Sequence, residues 1–537
     1  MNEKIFYPDF FNDVFGPIMQ PGSSSSFAGT SRVGRIARYT LKSEPSFVRI
    51  TFNPSDDHMK SLGNMMDDRA YLGGLQDFAT DDIRLYSSHE LARKAGISYE
   101  FSENETDNAY PGSTTFALKG TAGDEASLIA ASIGGGMVKT YEINGFPLTW
   151  QADTYAVLVF GAPEDVSTLE GTIRKRLGEP FVRQSAKKAD GSVAVLLEYS
   201  EAPDLNGNGF TPEQAEIRVL PALLPVVSRA DRKAQLFTTV EEWRNVAKER
   251  GISFVEAAIE YEKGFSGWSR EEIWAYFEKI NDILHAQVHS LETVGYENAA
   301  DTPNLPIYGK DWNRYLTLGG GVTDALTQNI ITRAMSTNAK LPGTLIVPGP
   351  MGTGGGYLYS ALDAVREARG SSKEKVIESL IVAAGLGVIA FTHAQATGSS
   401  GCVGESGVCC AMASGAVTHL AGGDGTMVEH AASMALQANL GIPCDPIPGG
   451  KEFPCITRTI RAAVTAPLYA DLALSGIDPL IPYHEVLFAI EEHRKHSTRT
   501  QLHEGINASP CAKCIQQCFA KEQMGDRLSW HADSTRK

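Results

Sequence analysis

The sequence predicts an α+β protein, with strands and helices mixed in its first half and a second half that is mostly helical. Three observations predict this. Apolar, strand-like runs recur at 47–52, 114–118, 137–143, 155–160 and 193–198. From about residue 232 the apolar residues recur at helical spacing, and the later segments are dense in alanine and glycine. The chain, at 537 residues, also exceeds what one hydrophobic core comfortably serves. The expected division is an α/β domain at 1–150, a small module at 151–228, a helical domain at 229–500 and a cysteine-rich tail at 501–537.

The composition narrows the partners. A formal net charge of −16 leaves no basic surplus to neutralise phosphates, so neither nucleic acid nor an anionic membrane surface is expected. No apolar run is expected to span a membrane, and the start lacks a basic end followed by an apolar signal core. A cytoplasmic enzyme is the expected class.

In the first domain, Phe10–Met19 leads into the serine run Ser23, Ser24, Ser25 and Ser26, and a helix is predicted from Thr30 to Leu41. Hydroxyls before a helix start can cap it, and the free N–H groups there favour a carboxylate or phosphate; a plain serine turn is the alternative. Ser132-Ile133-Gly134-Gly135-Gly136 is too rich in glycine for a strand interior, so backbone or ligand is expected to approach closely there. Residues 153–225 read as strand, helix, strand, which resembles a small regulatory ACT-like module. Asp204 to Phe210 lacks the closing glutamate of a calcium loop and reads as a turn.

Amphipathic helices are predicted at 240–250, 254–263 and 270–293, the last opened by Ser269 with early acids. Val347-Pro348-Gly349-Pro350-Met351-Gly352-Thr353-Gly354 then precedes a helix. It imitates a dinucleotide fingerprint, but no second strand with an acidic tip follows at the required distance, so a glycine-lined substrate or cluster pocket including Gly352 and Thr353 is expected instead.

All eight cysteines fall in the last quarter, at 402, 409, 410, 444, 455, 511, 514 and 518. Such clustering suggests a metal centre rather than a disulfide scaffold. Cys444 follows Cys402 by 42 residues and Cys455 follows Cys444 by 11, too far apart for the close pairs of a zinc ribbon. The spacing suits ligands on different helix ends around one iron–sulfur cluster, where a helix N-terminus and nearby Arg458 and Arg461 favour thiolates. Three buried structural thiols are the alternative. Cys409 and Cys410, on the following helix, read as packing thiols.

The run Gly401-Cys402 … Glu405-Ser406-Gly407, then Ile442-Pro443-Cys444-Asp445-Pro446, then Phe453-Pro454-Cys455, resembles the α domain of iron–sulfur L-serine dehydratases. Gly16-Pro17, the serine run, Gly73-Gly74, Thr80-Asp81-Asp82 and Ser132–Gly136 are similar, in order, to that family's β domain. The resemblance implies a [4Fe-4S] cluster on Cys402, Cys444 and Cys455. It also implies an open iron that binds a small hydroxy or amino acid, and α,β-elimination of water to give pyruvate and ammonia without pyridoxal phosphate. A homodimer is expected.

Two positions depart from the family pattern. Its Ser-Ser-Ser-His-Thr is matched by serines followed by Phe27, and its His-Pro-Asn by Tyr110-Pro111-Gly112. Both substrate-side histidines are replaced, so L-serine is not the expected best substrate. Ser26 and Tyr110 are substrate contacts by position, and His393 is the candidate base. Cysteine losing sulfide on the same iron, or an iron–sulfur sensor without catalysis, are the rival readings. In the tail, Cys511, Cys514 and Cys518 offer a fourth cluster ligand, as the family implies; a zinc site completed by His503 or His531, a second cluster and a redox pair are the alternatives.

Overall fold

A computed structural model describes residues 7–514 except 57, 64, 206–214, 300–306, 350–353, 446 and 448–452. The chain divides into two compact units, one of residues 1–236 with 259–276 and one of 237–258 with 277–537.

The first unit carries two sheets. The larger combines β1 (Pro45–Phe52), β2 (Ser98–Glu103), β3 (Thr114–Gly120), β4 (Glu125–Gly134) and β5 (Met137–Ile143) in the order β2-β1-β3-β4-β5. β1 and β2 are parallel and the other pairs antiparallel. Burial alternates along β3, so Phe116 and Leu118 face the core beside Val48 and Ile50 of β1. Helices α1 (Thr30–Thr40) and α2 (Asp67–Leu75) pack so closely that a Cβ on Gly74 would strike the Ser31 carbonyl. Ser132–Gly134, expected to lie outside a strand, ends β4 with a register shift; Gly135 and Gly136 then turn with φ of 61° and 83°.

The smaller sheet also corrects an expectation. Its strands β6 (Tyr155–Gly161), β7 (Val182–Lys187), β8 (Val193–Tyr199) and β9 (Ala215–Leu220) run in the order β7-β8-β6-β9, all antiparallel, with α3 (Pro163–Leu177) joining β6 to β7. The predicted strand, helix, strand unit therefore misses β7 and β9. β7 is amphipathic, with polar Arg183, Gln184, Ser185 and Lys187, and half its positions are exposed.

The second unit is helical. It holds α4 (Val240–Arg250), the later part of α5 (Arg270–Val288), α6 (Ala325–Ala339), α7 (Gly354–Arg369), α8 (Lys373–His393), α9 (Val408–Leu420), α10 (Gly425–Gln437), α11 (Cys455–Leu474) and α12 (Tyr483–His496). The helix predicted over 270–293 ends at Val288, and a short helical turn, Ser290–Val294, follows. Helix α8 is long and apolar enough to cross a membrane, which the sequence reading overlooked; its residues Val376 and Ile377, then Ser379 through Ala390, are buried inside this unit. Trp243 of α4 is stacked between Phe237 and Phe254, at ring centroid distances of 5.0 and 3.7 Å, and lies where a Cβ on Gly385 of α8 would be.

Candidate active site

Two segments and a helix end bring the three cysteines together in the second unit. Cys402 begins a π-helical turn, Val403–Gly407, that feeds α9, and its Sγ lies 2.9 Å from the Ser406 hydroxyl. Gly401 has φ of 84°, and a Cβ there would meet the Ile442 carbonyl at 2.7 Å, so glycine lets this turn lie against the loop that carries Cys444. A Cβ on Gly398 would stand 3.2 Å from the Cys444 Sγ and 3.3 Å from Glu405 Oε1. Cys455 is the first residue of α11.

The electrostatics fit a metal centre. Burial pushes the Cys444 thiol well up, and the nearby Glu405, Cys455 and Cys402 raise it further. Burial also raises Cys402, while Ser406 and Arg458 counteract it and Glu405 adds to it. Burial lifts the Glu405 carboxyl to about 7 despite the Gly398 N–H that favours its charged form. Thiols that resist ionising beside one another become stable thiolates when a cation sits among them, and a three-thiol donor set suits an iron–sulfur cluster with one iron left open. Cys409 and Cys410 are buried, with their thiols toward the Gly349 and Ala462 carbonyls at 3.5 and 3.4 Å.

The glycine run that the sequence marks as a substrate or cluster pocket packs, in its described part, against buried polar groups of the same unit. Gly354, Gly355 and Gly356 form the buried first turn of α7, and a Cβ on Gly354 would stand 2.7 Å from the Cys409 Sγ of α9. A Cβ on Gly356 would meet Gln287 Nε2 at 2.5 Å and Thr337 Cγ2 at 2.7 Å, so the glycine run lets the end of α5 and the last turn of α6 pack against the first turn of α7. Five buried side-chain atoms here lack a hydrogen-bond partner: both amide atoms of Gln287, the Ser336 and Thr337 hydroxyl oxygens, and Asn338 Nδ2. Buried polar atoms are rarely left so, each costing about 1–3 kcal/mol, and a helix N-terminus adds free N–H groups and a positive dipole. Gln287 was detectable in principle, because it continues the apolar stripe Ile273, Phe277, Ile280 and Leu284.

The other predicted residues are placed as follows. Ser23 caps a turn by accepting from the Ser26 N–H at 3.2 Å, Ser24 is buried, and the Ser25 carbonyl accepts from the Ser132 hydroxyl at 2.9 Å. A Cβ on Gly29 would collide with Ser132, so the serine turn and the glycine loop do approach closely. Tyr110 stacks on Tyr141 at 4.6 Å and donates to Glu142 at 3.2 Å; desolvation and Glu142 raise its pKa. These residues belong to the first unit. His393, in the second, has Nε2 at 2.8 Å from the Thr238 carbonyl. Cys511 and Cys514 are exposed. Gly352, Thr353 and Cys518 lie outside the described residues.

A second cluster joins His285, His289 and Asp363, whose potential ligand atoms lie within 4.8 Å of one another. The Asp363 carboxylate already receives Arg333 Nε and Arg366 Nε, both at 2.7 Å, and His289 Nε2 at 3.0 Å. A metal would have to compete with two guanidiniums there, so the cluster is an ion-paired hub tying α6 and α7 to the end of α5.

Comparison with known proteins identifies the family. A sequence profile for the serine dehydratase alpha chain matches residues 239–504. The L-serine dehydratase alpha chain of Peptoniphilus asaccharolyticus is 28% identical over 53% of this chain and 99% of its own length. A probable L-serine dehydratase beta chain of Bacillus subtilis (strain 168) is 32% identical over 34% of this chain and 83% of its own. The L-serine dehydratase of Streptomyces coelicolor is 30% identical over 45% of this chain and 53% of its own. With similarity to both alpha and beta chains in a single polypeptide, this chain belongs to the L-serine dehydratase family.

Proposed function

We propose that the chain is a [4Fe-4S]-dependent lyase that eliminates water from a small β-hydroxy amino acid, with Cys402, Cys444 and Cys455 holding the cluster. The observation that carries this reading is the occurrence, in one unit, of three thiols that raise one another's pKa and a group of buried side-chain atoms without hydrogen-bond partners. When bound, the cluster supplies a Lewis-acidic iron for the substrate's hydroxyl and carboxylate.

The chain's own groups bind and orient. The free N–H groups of the α7 first turn and Asn338 Nδ2 donate to carboxylate oxygen, while Gln287 Oε1 and Thr337 Oγ1 accept from the ammonium group. The buried glycine turn keeps water out. The α-proton goes to a base, for which His393 is the candidate. Its Nε2–H is committed to the Thr238 carbonyl, which leaves Nδ1 as the acceptor. Loss of the proton and of the β-hydroxyl gives an enamine, whose hydrolysis yields a 2-oxo acid and ammonia. For Ser23, Ser24, Ser25, Ser26 and Tyr110 the family resemblance is the support for a substrate-contact role, and for Gly352 and Thr353 it is the glycine-rich sequence around them. The two replaced family histidines make L-serine a poorer substrate than a related hydroxy amino acid. We also assign the chain to the cytoplasm and read the smaller sheet as an ACT-like module.

Anaerobic purification with iron and sulfide quantified, then electron paramagnetic resonance with and without small acids, tests the proposal. About four irons per chain and a spectrum altered by a β-hydroxy amino acid are expected. Zinc in place of iron would sink it.

A further inference from the structure

The loop that carries Cys444 is held by a segment far along the chain. The Cys444 N–H donates to the Leu502 carbonyl at 2.8 Å. Its neighbour Asp445 is 1% exposed and accepts from the Ile506 N–H through Oδ2 and from Arg458 through Oδ1. Arg458 Nη1 also donates to the Pro443 carbonyl at 2.7 Å, and its positive charge favours the Cys402 thiolate. One buried carboxylate thus ties three things together: the Cys444 loop, helix α11 and the stretch from 498 to 509.

That stretch is built to keep its shape. Thr498 and Gln501 form a reciprocal cap, with Gln501 Oε1 accepting from the Thr498 N–H at 2.8 Å, at the head of the short helix Arg499–His503. Gly505 follows, and a Cβ there would run into the Asp445 carboxylate. Glycine is what lets the backbone deliver the Ile506 N–H to its acceptor.

We propose that Asp445 is a positioning residue through which the C-terminal segment 498–509 holds Cys444 and Arg458 in place to retain the cluster. The inference rests on the reading of Cys402, Cys444 and Cys455 as ligands. Groups that hydrogen-bond or orient metal ligands tune both retention of the metal and its electronic environment, typically by about 10–100-fold in affinity. Asp445 acts on the Cys444 loop twice: directly through the backbone next to Cys444, and through Arg458, which it holds on the Pro443 carbonyl. Loss of its charge frees the guanidinium, and displacement of the segment frees the loop.

The test uses full-length protein purified anaerobically as wild type, D445N, G505A and C444S. Iron and sulfide per chain, the rate of iron loss to bathophenanthroline, and the electron paramagnetic resonance spectrum of the reduced cluster are measured. D445N keeps an acceptor for Ile506 but loses the charge facing Arg458. G505A alters neither a thiol nor a charged group, so it reports the segment if D445N fails to fold. Both are expected to lose iron roughly 10-fold faster than wild type. D445N is also expected to shift the spectrum, which a merely structural role would leave unmoved. Wild-type release rates and an unshifted spectrum in both variants would overturn the inference while leaving the ligand reading intact. If C444S holds as much iron as wild type, the ligand reading itself fails and takes the inference with it.

Discussion

Gln287 is 2% exposed, and neither atom of its amide has a partner. Such an arrangement is expensive in the free protein and useful only when a ligand completes it. Gln287→Leu should therefore separate stability from binding. Removing two orphaned polar atoms should raise the stability of the ligand-free protein by about 1 kcal/mol, read as a higher melting temperature. The same change should weaken binding of a small amino acid roughly 10-fold, read by calorimetry. A variant that melts lower would mean that the amide has a structural partner. At this scale the cysteines were legible because sulfur is scarce and its spacing limits the centres it can form. The run Ser336, Thr337 and Asn338 was not, and Gln287 showed only as a polar position in an apolar helical stripe. Polar residues at helix ends look like a solvated face until the neighbouring helix, brought close by Gly356, is known.

Between elements, the Asp363 hub binds α6 and α7 to the end of α5 through opposed charges. Burial alone would raise Asp363, but hydrogen bonds from His285, His289, Arg333 and Arg366 together hold its carboxyl well below the usual carboxylate range. Asp363 raises the pKa of His289 in turn, with burial opposing and Glu292 assisting. The signs then follow. The depressed carboxyl contributes stability that is present above its unfolded pKa of about 4 and is lost as pH falls further. The raised imidazole contributes stability that is full below about 6.5 and is lost as pH rises through its folded value. H289Q should melt below wild type at about pH 5, and the gap should close by about pH 9. Asp363→Asn, which strands two guanidiniums, should cost about 3 kcal/mol in denaturant titration. A pH-independent gap for H289Q would assign His289 a packing role instead. Periodicity placed α1 and α4 to within a few residues, because their apolar stripes are regular, and ran α5 on past its end at Val288. It set no bounds for α6, α8, α10 and α12, missed the strands β2, β4, β7 and β9, and gave no sign that His285 and His289 would meet Asp363.

The path of the chain is the feature least visible in the sequence. A composition change near residue 230 suggests a boundary there, yet residues 259–276 belong with the first unit. Within that unit Phe10 stacks on Tyr261 at 5.7 Å, Tyr7 meets Phe265 edge-on at 5.0 Å, and Phe11 packs on Trp268 and Tyr276 at 5.3 and 4.5 Å. The Phe10 N–H donates to Glu262 at 3.0 Å, and the Tyr261 hydroxyl to the Pro8 carbonyl at 2.7 Å. Helical periodicity shows that 254–266 is amphipathic but not which body its apolar face will join. Each aromatic pair is worth about 0.5–1.5 kcal/mol beyond its buried area, so four such pairs are a sizeable part of a domain's net stability. A chain ended at residue 228 should therefore lose cooperative unfolding and near-ultraviolet circular dichroism from its buried aromatics, whereas one ended at 276 should keep both. Equal melting of the two fragments would show that the N-terminal sheets fold without residues 259–276. A cooperative transition restored by the longer fragment alone would place the functional boundary inside the helical half, where neither composition nor turn residues mark it.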